Sequence, residues 1–150
     1  MHRRRDANLT RISKIVAAID LSECSKSVME KACVVASAFI SDVYLSVIKI
    51  ANLVGQEGDI NMQEIQEEET ELSNHNKMLI DNYYSGSSLL ISSKILHGDP
   101  SFKICEFKSV SADIIIIGDS GKTGLKRIFL GSTSEAISHN APCSILIVKN

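Results

Sequence analysis

Three glycines and a run of hydroxyl residues have the types and spacing that could bind an anionic group. They form a Gly-x2-Gly-x9-Gly-Ser pattern, made up of Gly118, Gly121, Gly131, Ser132, Thr133 and Ser134. The first N–H groups of a helix have no partner inside that helix and lie at the positive end of its dipole. A helix that starts near Gly131 would therefore direct the N–H groups of the three hydroxyl residues toward a phosphate, with their hydroxyls as further donors.

The glycines themselves suggest a backbone that approaches a ligand closely. We expect Gly118, Gly121 and Gly131 to adopt positive φ angles and to leave space where a side chain would clash. Ser132 and Glu135 could equally form a Ser-x-x-Glu capping box, a role compatible with binding. The sequence contains neither the Gly-x-Gly-x-x-Gly pattern of dinucleotide binders nor a Gly-x4-Gly-Lys-[Ser/Thr] loop, so those two mechanisms are excluded.

Five apolar runs alternate with helical patterns along the chain. The strands and helices that they predict would position the glycine segment. The predicted strands are Lys14–Asp20, Asp42–Ile50, Leu89–Leu96, Asp113–Ile117 and Ser144–Val148. The predicted helices begin at Ser22, span Ile60–Tyr84, span Ser101–Val110 and begin near Gly131. This order predicts an α/β fold with a doubly wound parallel sheet covered on both faces. Ligands bind such sheets beyond the carboxyl ends of the strands, where Asp20, the residues after Val47 and the loop after Ile117 lie.

Length, charge and cysteines limit the class of protein. With 150 residues, we expect residues 12–150 to form a single domain and residues 1–11 a flexible basic arm. The net charge of -2 argues against nucleic acid as a partner. The sequence has no signal-peptide pattern and no apolar run of membrane-spanning length, so we expect a cytoplasmic protein without membrane contact. The four cysteines form no metal-binding pattern and are expected to be reduced thiols, mostly buried.

The glycine segment and five other stretches together resemble the universal stress protein family, specifically its ATP-binding members. The stretches are KIVAAIDLSE, SVIKI, HGDP, ADIIIIGDSG and APCSILIVK, and the resemblance extends from the first strand to the end of the chain. The resemblance implies a five-stranded parallel sheet of order 3-2-1-4-5, of the Rossmann-like, adenine nucleotide alpha hydrolase-like class. It also implies a stress-response role and a homodimer formed through Ser144–Val148, an apolar edge strand that a partner would cover.

The resemblance further implies which residues contact ATP. Asp20 matches the acidic residue at the base and ribose, Val47 the apolar wall for adenine, and Ile117 with Gly118 the residues beside the ribose. The phosphate contacts match Gly121, Gly131, Ser132, Thr133 and Ser134. Ala18 and Ile19 are also implied as ATP contacts beside the base. They stand where the family often has a polar pair, so a hydroxyl beside the base is missing. The cofactor implied is ATP, with Mg or Mn held mainly by its phosphates.

Three functions remain open at this point. The first is a regulatory protein that binds ATP without dedicated catalytic groups. The second is a slow ATPase or adenylate-handling enzyme, for which Asp119, Ser120 and His97 are the nearby candidates, although a lone His97 is more typical of a surface turn. The third is an interaction dimer in which the glycine loop is only a turn and a helix cap.

Overall fold

Strands and helices alternate through the described part of the chain. The structure is a computed structural model, and it describes residues 12–20, 22–38, 43–51, 62–83, 89–106, 112–119 and 130–149. The strands are β1 (Lys14–Ile19), β2 (Val43–Ala51), β3 (Leu89–His97), β4 (Ile114–Gly118) and β5 (Ser144–Val148). The helices are α1 (Glu23–Ser37), α2 (Met62–Tyr83), α3 (Pro100–Glu106) and α4 (Ser132–Asn140). The predicted elements are confirmed, with boundaries shifted by one or two residues where they can be compared.

The strands form one parallel sheet of order β3-β2-β1-β4-β5, the order that the resemblance implied. At its centre Ala17 of β1 pairs with Val47 of β2 on one side and with Ile116 of β4 on the other. Strand order therefore reverses between β1 and β4. The predicted basic arm, residues 1–11, lies outside the described residues.

Two separate cores cover the two faces of this sheet. Ile15 and Ala17 of β1 pack in one core with residues of α1 and α2, including Met29 and Leu72. Val16, between them, packs in the other core with residues of α3 and α4. Successive side chains of a strand point to opposite faces, so a strand buried on both faces must be apolar throughout, as β1 is. The helix after β1 packs on one face and α4, after β4, on the other, and in sheets of this kind the crevice between the carboxyl ends of two such strands is where ligands bind.

Asp113 joins β1 and β4 at the opposite, amino edge of the sheet. Its Oδ2 accepts hydrogen bonds from the Ser13 N–H at 2.8 Å, the Lys14 N–H at 2.9 Å and the Ser13 hydroxyl at 3.2 Å. Burial raises the pKa of Asp113, but these three bonds and the Lys14 charge outweigh burial, and the pKa lies below its ordinary value. The ionised carboxylate thus fixes the starts of the two strands that flank the crevice.

The four cysteines differ in burial, and the helices differ in length. Cys24 and Cys33 are buried, Cys105 and Cys143 are half-buried, and all four are free thiols. Burial raises the pKa of Cys33 to about 11, so this thiol stays protonated at neutral pH. Among the described helices, none has both the length and the apolar character that a membrane crossing requires.

Candidate functional site

Asp20 lies at the carboxyl end of β1 and organises the turn into α1. Its Oδ1 accepts hydrogen bonds from the Ser22 N–H at 2.9 Å and from the Ser25 hydroxyl at 3.2 Å. The Ser25 hydroxyl in turn accepts the Asp20 N–H at 3.3 Å. Asp20 is half-buried, so its carboxylate is held in a fixed orientation at the edge of the sheet while part of its surface remains accessible.

The first turn of α4 is attached directly to the end of β4. The Gly131 N–H donates to the Asp119 carbonyl at 2.8 Å, and the Asp119 N–H donates to the Val148 carbonyl at 2.9 Å. The Ser134 hydroxyl donates to the Gly118 carbonyl at 2.6 Å. These bonds place the N-terminus of α4 at the carboxyl edge of the sheet, in the position that the glycine pattern predicted for an anion-binding helix.

The backbone at this helix start differs from two expectations. Gly131 is the N-cap of α4 with φ -61° and ψ 151°, an extended conformation open to any residue, and Gly118 is an ordinary strand residue. The expectation of positive φ at these two glycines is therefore wrong, and the described glycine with positive φ is Gly98. The alternative of a capping box between Ser132 and Glu135 is not realised either, because Ser132 is already the first helical residue and the N-cap is Gly131.

The three hydroxyl residues of this turn differ in how accessible their side chains are. Ser134 is buried, 7% exposed, and its hydroxyl is committed to the Gly118 carbonyl. Ser132 is exposed and Thr133 is half-buried. All three belong to the first turn, where the N–H groups have no helical partner one turn earlier. Backbone N–H groups, with the Ser132 and Thr133 hydroxyls, are thus the groups available for an anion.

Of the residues predicted beside the base and ribose, Ala18, Ile19, Ile117 and Gly118 lie at the carboxyl ends of β1 and β4, whereas Val47 lies in the middle of β2. Ile19 packs in the α1–α2 core and Ala18 against the α3–α4 core, so their side chains point to opposite faces of the sheet. Ile117 is 4% exposed in the α3–α4 core, which leaves its backbone as the part that a ligand could contact. Val47 pairs with Ala17 through the backbone. Gly121, together with Ser120, lies outside the described residues.

His97 differs from its interpretation as a surface turn residue. It is the last residue of β3, its ring nitrogens are buried, and neither has a hydrogen-bond partner among the described residues. No cluster of His, Cys, Asp or Glu with metal-binding geometry occurs within the described ranges. The described site therefore offers backbone donors and one oriented carboxylate, a set suited to binding a phosphorylated sugar.

The family model named "Universal stress protein family" matches residues 11–149, which contain every strand and helix described above. The chain belongs to this family. A universal stress protein of Methanocaldococcus jannaschii is 34% identical over 142 residues, which are 91% of this chain and 81% of that protein. The α/β fold with its parallel sheet is therefore that of a universal stress protein.

Solved universal stress proteins share the fold at low sequence identity. UspA from Lactobacillus plantarum superposes with a TM-score of 0.73 at 16% identity, over 92% of this chain and 98% of that protein. A universal stress protein from Archaeoglobus fulgidus, solved in complex with dAMP, superposes with a TM-score of 0.59 at 21% identity. That match covers 92% of this chain and 98% of the other.

Ser25 and Asn76 line a cavity beside the end of β1, and neither was assigned a site role from the sequence. Ser25 holds Asp20, as described above, and a hydroxyl five residues after an acidic strand end was its available signal. Asn76 is fully buried in α2, four residues after Leu72 and three before Leu79. That spacing places a polar residue on the apolar face of a helix, and this is the signal that could have revealed it.

Proposed function

We propose that this chain is an ATP-binding regulatory universal stress protein whose nucleotide lies across the carboxyl ends of β1 and β4. The observation that carries the proposal is the attachment of the α4 N-terminus to the end of β4 through Gly131 and Asp119. This attachment puts unpaired first-turn N–H groups at the edge where strand order reverses, which is where doubly wound sheets bind nucleotides. The dAMP complex of the relative from Archaeoglobus fulgidus supports a nucleotide ligand.

Each predicted residue has a role in this proposal. Asp20 binds the ribose hydroxyls, the backbone of Ala18 and Ile19 with Val47 borders the base, and Ile117 and Gly118 border the ribose. The phosphate contacts come from Gly121, Gly131, Ser132, Thr133 and Ser134. A divalent cation, Mg or Mn, would bind oxygen atoms of the phosphates and a few water molecules, as Mg²⁺ does with nucleotides elsewhere. No further protein ligand is required for it.

The proposal gives the protein a binding role in the stress response and no catalytic one. A hydrolase requires a positioned base or nucleophile at the phosphates. Asp20 is oriented by Ser22 and Ser25 at the end of β1, and Asp119 contacts the phosphate turn through its backbone carbonyl; we assign neither a catalytic role. We further propose a cytoplasmic homodimer that pairs through β5, which lies at the edge of the sheet. Residues 12–150 would be its single domain and residues 1–11 a basic arm.

Calorimetric titration of the nucleotide-free protein with ATP and magnesium tests the proposal. Gly131→Val is the informative variant, because φ -61° and ψ 151° suit a branched residue, and the added methyl groups stand at the phosphate-binding turn. We expect at least a tenfold loss of ATP affinity at an unchanged melting temperature. Ala38→Val, exposed at the far end of α1, is the control and should bind normally.

The outcomes separate the three functions. Saturable ATP binding without sustained phosphate release supports the regulatory protein. Sustained release of ADP and phosphate would show an ATPase instead. If the folded protein gives no heat of binding, the interaction dimer is the function that agrees with the result. Light scattering would then show whether the nucleotide-free protein is a dimer.

A further inference from the structure

Three polar groups follow one another along the carboxyl edge of the sheet. Lys49 lies near the end of β2, Asp20 directly after β1, and the first turn of α4 beside the end of β4. The strand order β2-β1-β4 therefore places an ammonium group, a carboxylate and a set of backbone N–H groups in a row. With the ribose on Asp20 and the phosphates at α4, as proposed above, the base of a bound nucleotide extends from Asp20 toward β2.

A cavity of about 600 Å³ lies beside Asp20, between α1 and α2. Ser25, whose hydroxyl donates to the Asp20 carboxylate at 3.2 Å, is part of the cavity lining, so the cavity begins where the ribose is placed. Ile19, Met29 and Leu72 give it apolar walls. Pockets for small organic molecules typically measure about 300–1,000 Å³ and combine apolar walls with a few polar groups. The cavity therefore has the size and the walls that a flat heterocyclic base requires.

Lys49 and Glu68 supply accessible polar groups to this cavity. Lys49 pairs with Ile19 in the register of β1 and β2, and 21% of its side chain is exposed, against 53% for Glu68 on α2. The Lys49 Nζ and Glu68 Oε2 atoms are 3.6 Å apart, farther than the about 2.7–2.9 Å of a charge-assisted hydrogen bond. Both groups can therefore hydrogen-bond a ligand, whereas the Asn76 Oδ1 and Ser22 Oγ atoms are buried and out of its reach.

The other charged and titratable side chains of the cavity lining are less well placed for a base. Lys26 pairs with Glu30, one turn later on α1, at 3.9 Å. Glu71 and His75 are exposed and lie about one and two turns beyond Glu68. Because α2 leads from the end of β2 to the start of β3, these turns lie farther from the carboxyl edge of the sheet. Lys49 and Glu68 are thus the charged pair of the lining that is nearest to this edge.

We propose that Lys49 and Glu68 recognise the adenine of the bound nucleotide, an inference that rests on the proposed function. One edge of adenine carries N1, which accepts a hydrogen bond, next to the 6-amino group, which donates one. A lysine ammonium group only donates and a carboxylate only accepts, so Lys49 binds N1 and Glu68 binds the 6-amino group. The ring packs on Ile19 and Leu72. The pair thereby selects the base without the side-chain hydroxyl that is missing before Asp20.

Two ATP analogues test the two contacts separately in calorimetric titrations of the full chain with magnesium. Purine riboside triphosphate lacks the 6-amino group, and 1-deaza-ATP has a carbon atom in place of N1. One hydrogen bond to a charged group changes affinity by about tenfold or more, so the parent protein should bind ATP at least about tenfold more tightly than either analogue. Glu68→Leu should bind ATP and purine riboside triphosphate equally, and Lys49→Met should bind ATP and 1-deaza-ATP equally.

Glu67→Leu and Lys77→Met are the matched controls, because both residues are exposed on α2 and lie outside the cavity lining; both variants should keep the preference of the parent. The two test variants lie on different elements, so either one decides the question if the other fails to fold. The inference is overturned if the parent binds the analogues as tightly as ATP, or if Glu68→Leu and Lys49→Met keep its preference. ATP binding in either case leaves the proposed function intact, whereas a folded parent that binds none of the three nucleotides refutes both.

Discussion

Replacing Asp113 tests how the sheet is fixed at the edge away from the candidate site. In Asp113→Ala two backbone N–H groups and one hydroxyl lose their shared acceptor. Buried hydrogen bonds to a charged group contribute about 1.5–3 kcal/mol each to the free energy of unfolding. At a half-buried carboxylate the contribution is smaller, because water can hydrogen-bond the groups that lose their partner. We therefore expect a loss of about 2 kcal/mol of unfolding free energy. In a chain of this size that corresponds to a melting temperature lower by roughly 6 °C.

The contribution of Asp113 to stability should also depend on pH. The folded-state pKa of Asp113 lies below its ordinary value of 3.8, so its carboxylate stabilises the fold at pH values above that. The stabilisation is lost as the pH falls through the lowered pKa. Asp113→Asn keeps the shape without the charge, so we expect it to be less stable than the parent protein at neutral pH. The difference should shrink in acid, where the parent carboxyl is also neutral.

Thermal unfolding followed by circular dichroism measures these differences. The parent protein, Asp113→Ala and Asp113→Asn are compared at neutral pH and at the lowest pH at which the parent remains folded. Asp81→Asn, at an exposed position of α2, is the control and should change stability by less than about 0.5 kcal/mol. The reasoning is refuted if Asp113→Ala unfolds at the temperature of this control, or if the gap between parent and Asp113→Asn is equal at both pH values.

Two further stability predictions concern single positions and are measured by urea unfolding. Ser134→Ala removes the donor to the Gly118 carbonyl and should lower the free energy of unfolding by about 1–2 kcal/mol. The control Ser138→Ala, at an exposed position of the same helix, should lower it by less. Equal losses in the two variants would contradict the structural role of the Ser134 hydroxyl. Gly98→Ala places a Cβ at φ +129° and 3.0 Å from Lys103 Cε, so we expect a loss of about 1–3 kcal/mol. Gly131→Ala has ordinary backbone angles and should be nearly neutral, and a Gly98→Ala variant of the same stability would disprove the strained backbone.

The fold was predictable because its signals are local and repeat along the chain. The apolar runs that become β1 and β4 are buried on both faces, so the sequence KIVAAI and the four isoleucines Ile114–Ile117 indicate central parallel strands without knowledge of their partners. Pro100 marked the start of α3 for a similar reason, since proline suits the first turn of a helix. The strand order came from the resemblance and not from these patterns.

The details of the site were less predictable because they depend on contacts between distant residues. The glycine spacing located the start of α4. It did not reveal the φ angle of Gly131, because that angle depends on the hydrogen bond from the Gly131 N–H to the Asp119 carbonyl. The commitment of the Ser134 hydroxyl to the Gly118 carbonyl joins residues 16 positions apart. Asn76 looks like one more polar residue of a largely polar helix until Leu72 is seen to be buried.

The hydrogen bond between the Gly131 N–H and the Asp119 carbonyl joins the two ends of the stretch of chain between these residues. The entropy of closing a loop changes only with the logarithm of its length, so doubling this stretch would cost about 0.6 kcal/mol. Its length and composition can therefore change while the first turn of α4 stays in place. Substitutions within this stretch would alter the proposed phosphate contact of Gly121 while leaving the bond between Asp119 and Gly131, and with it the position of α4, in place.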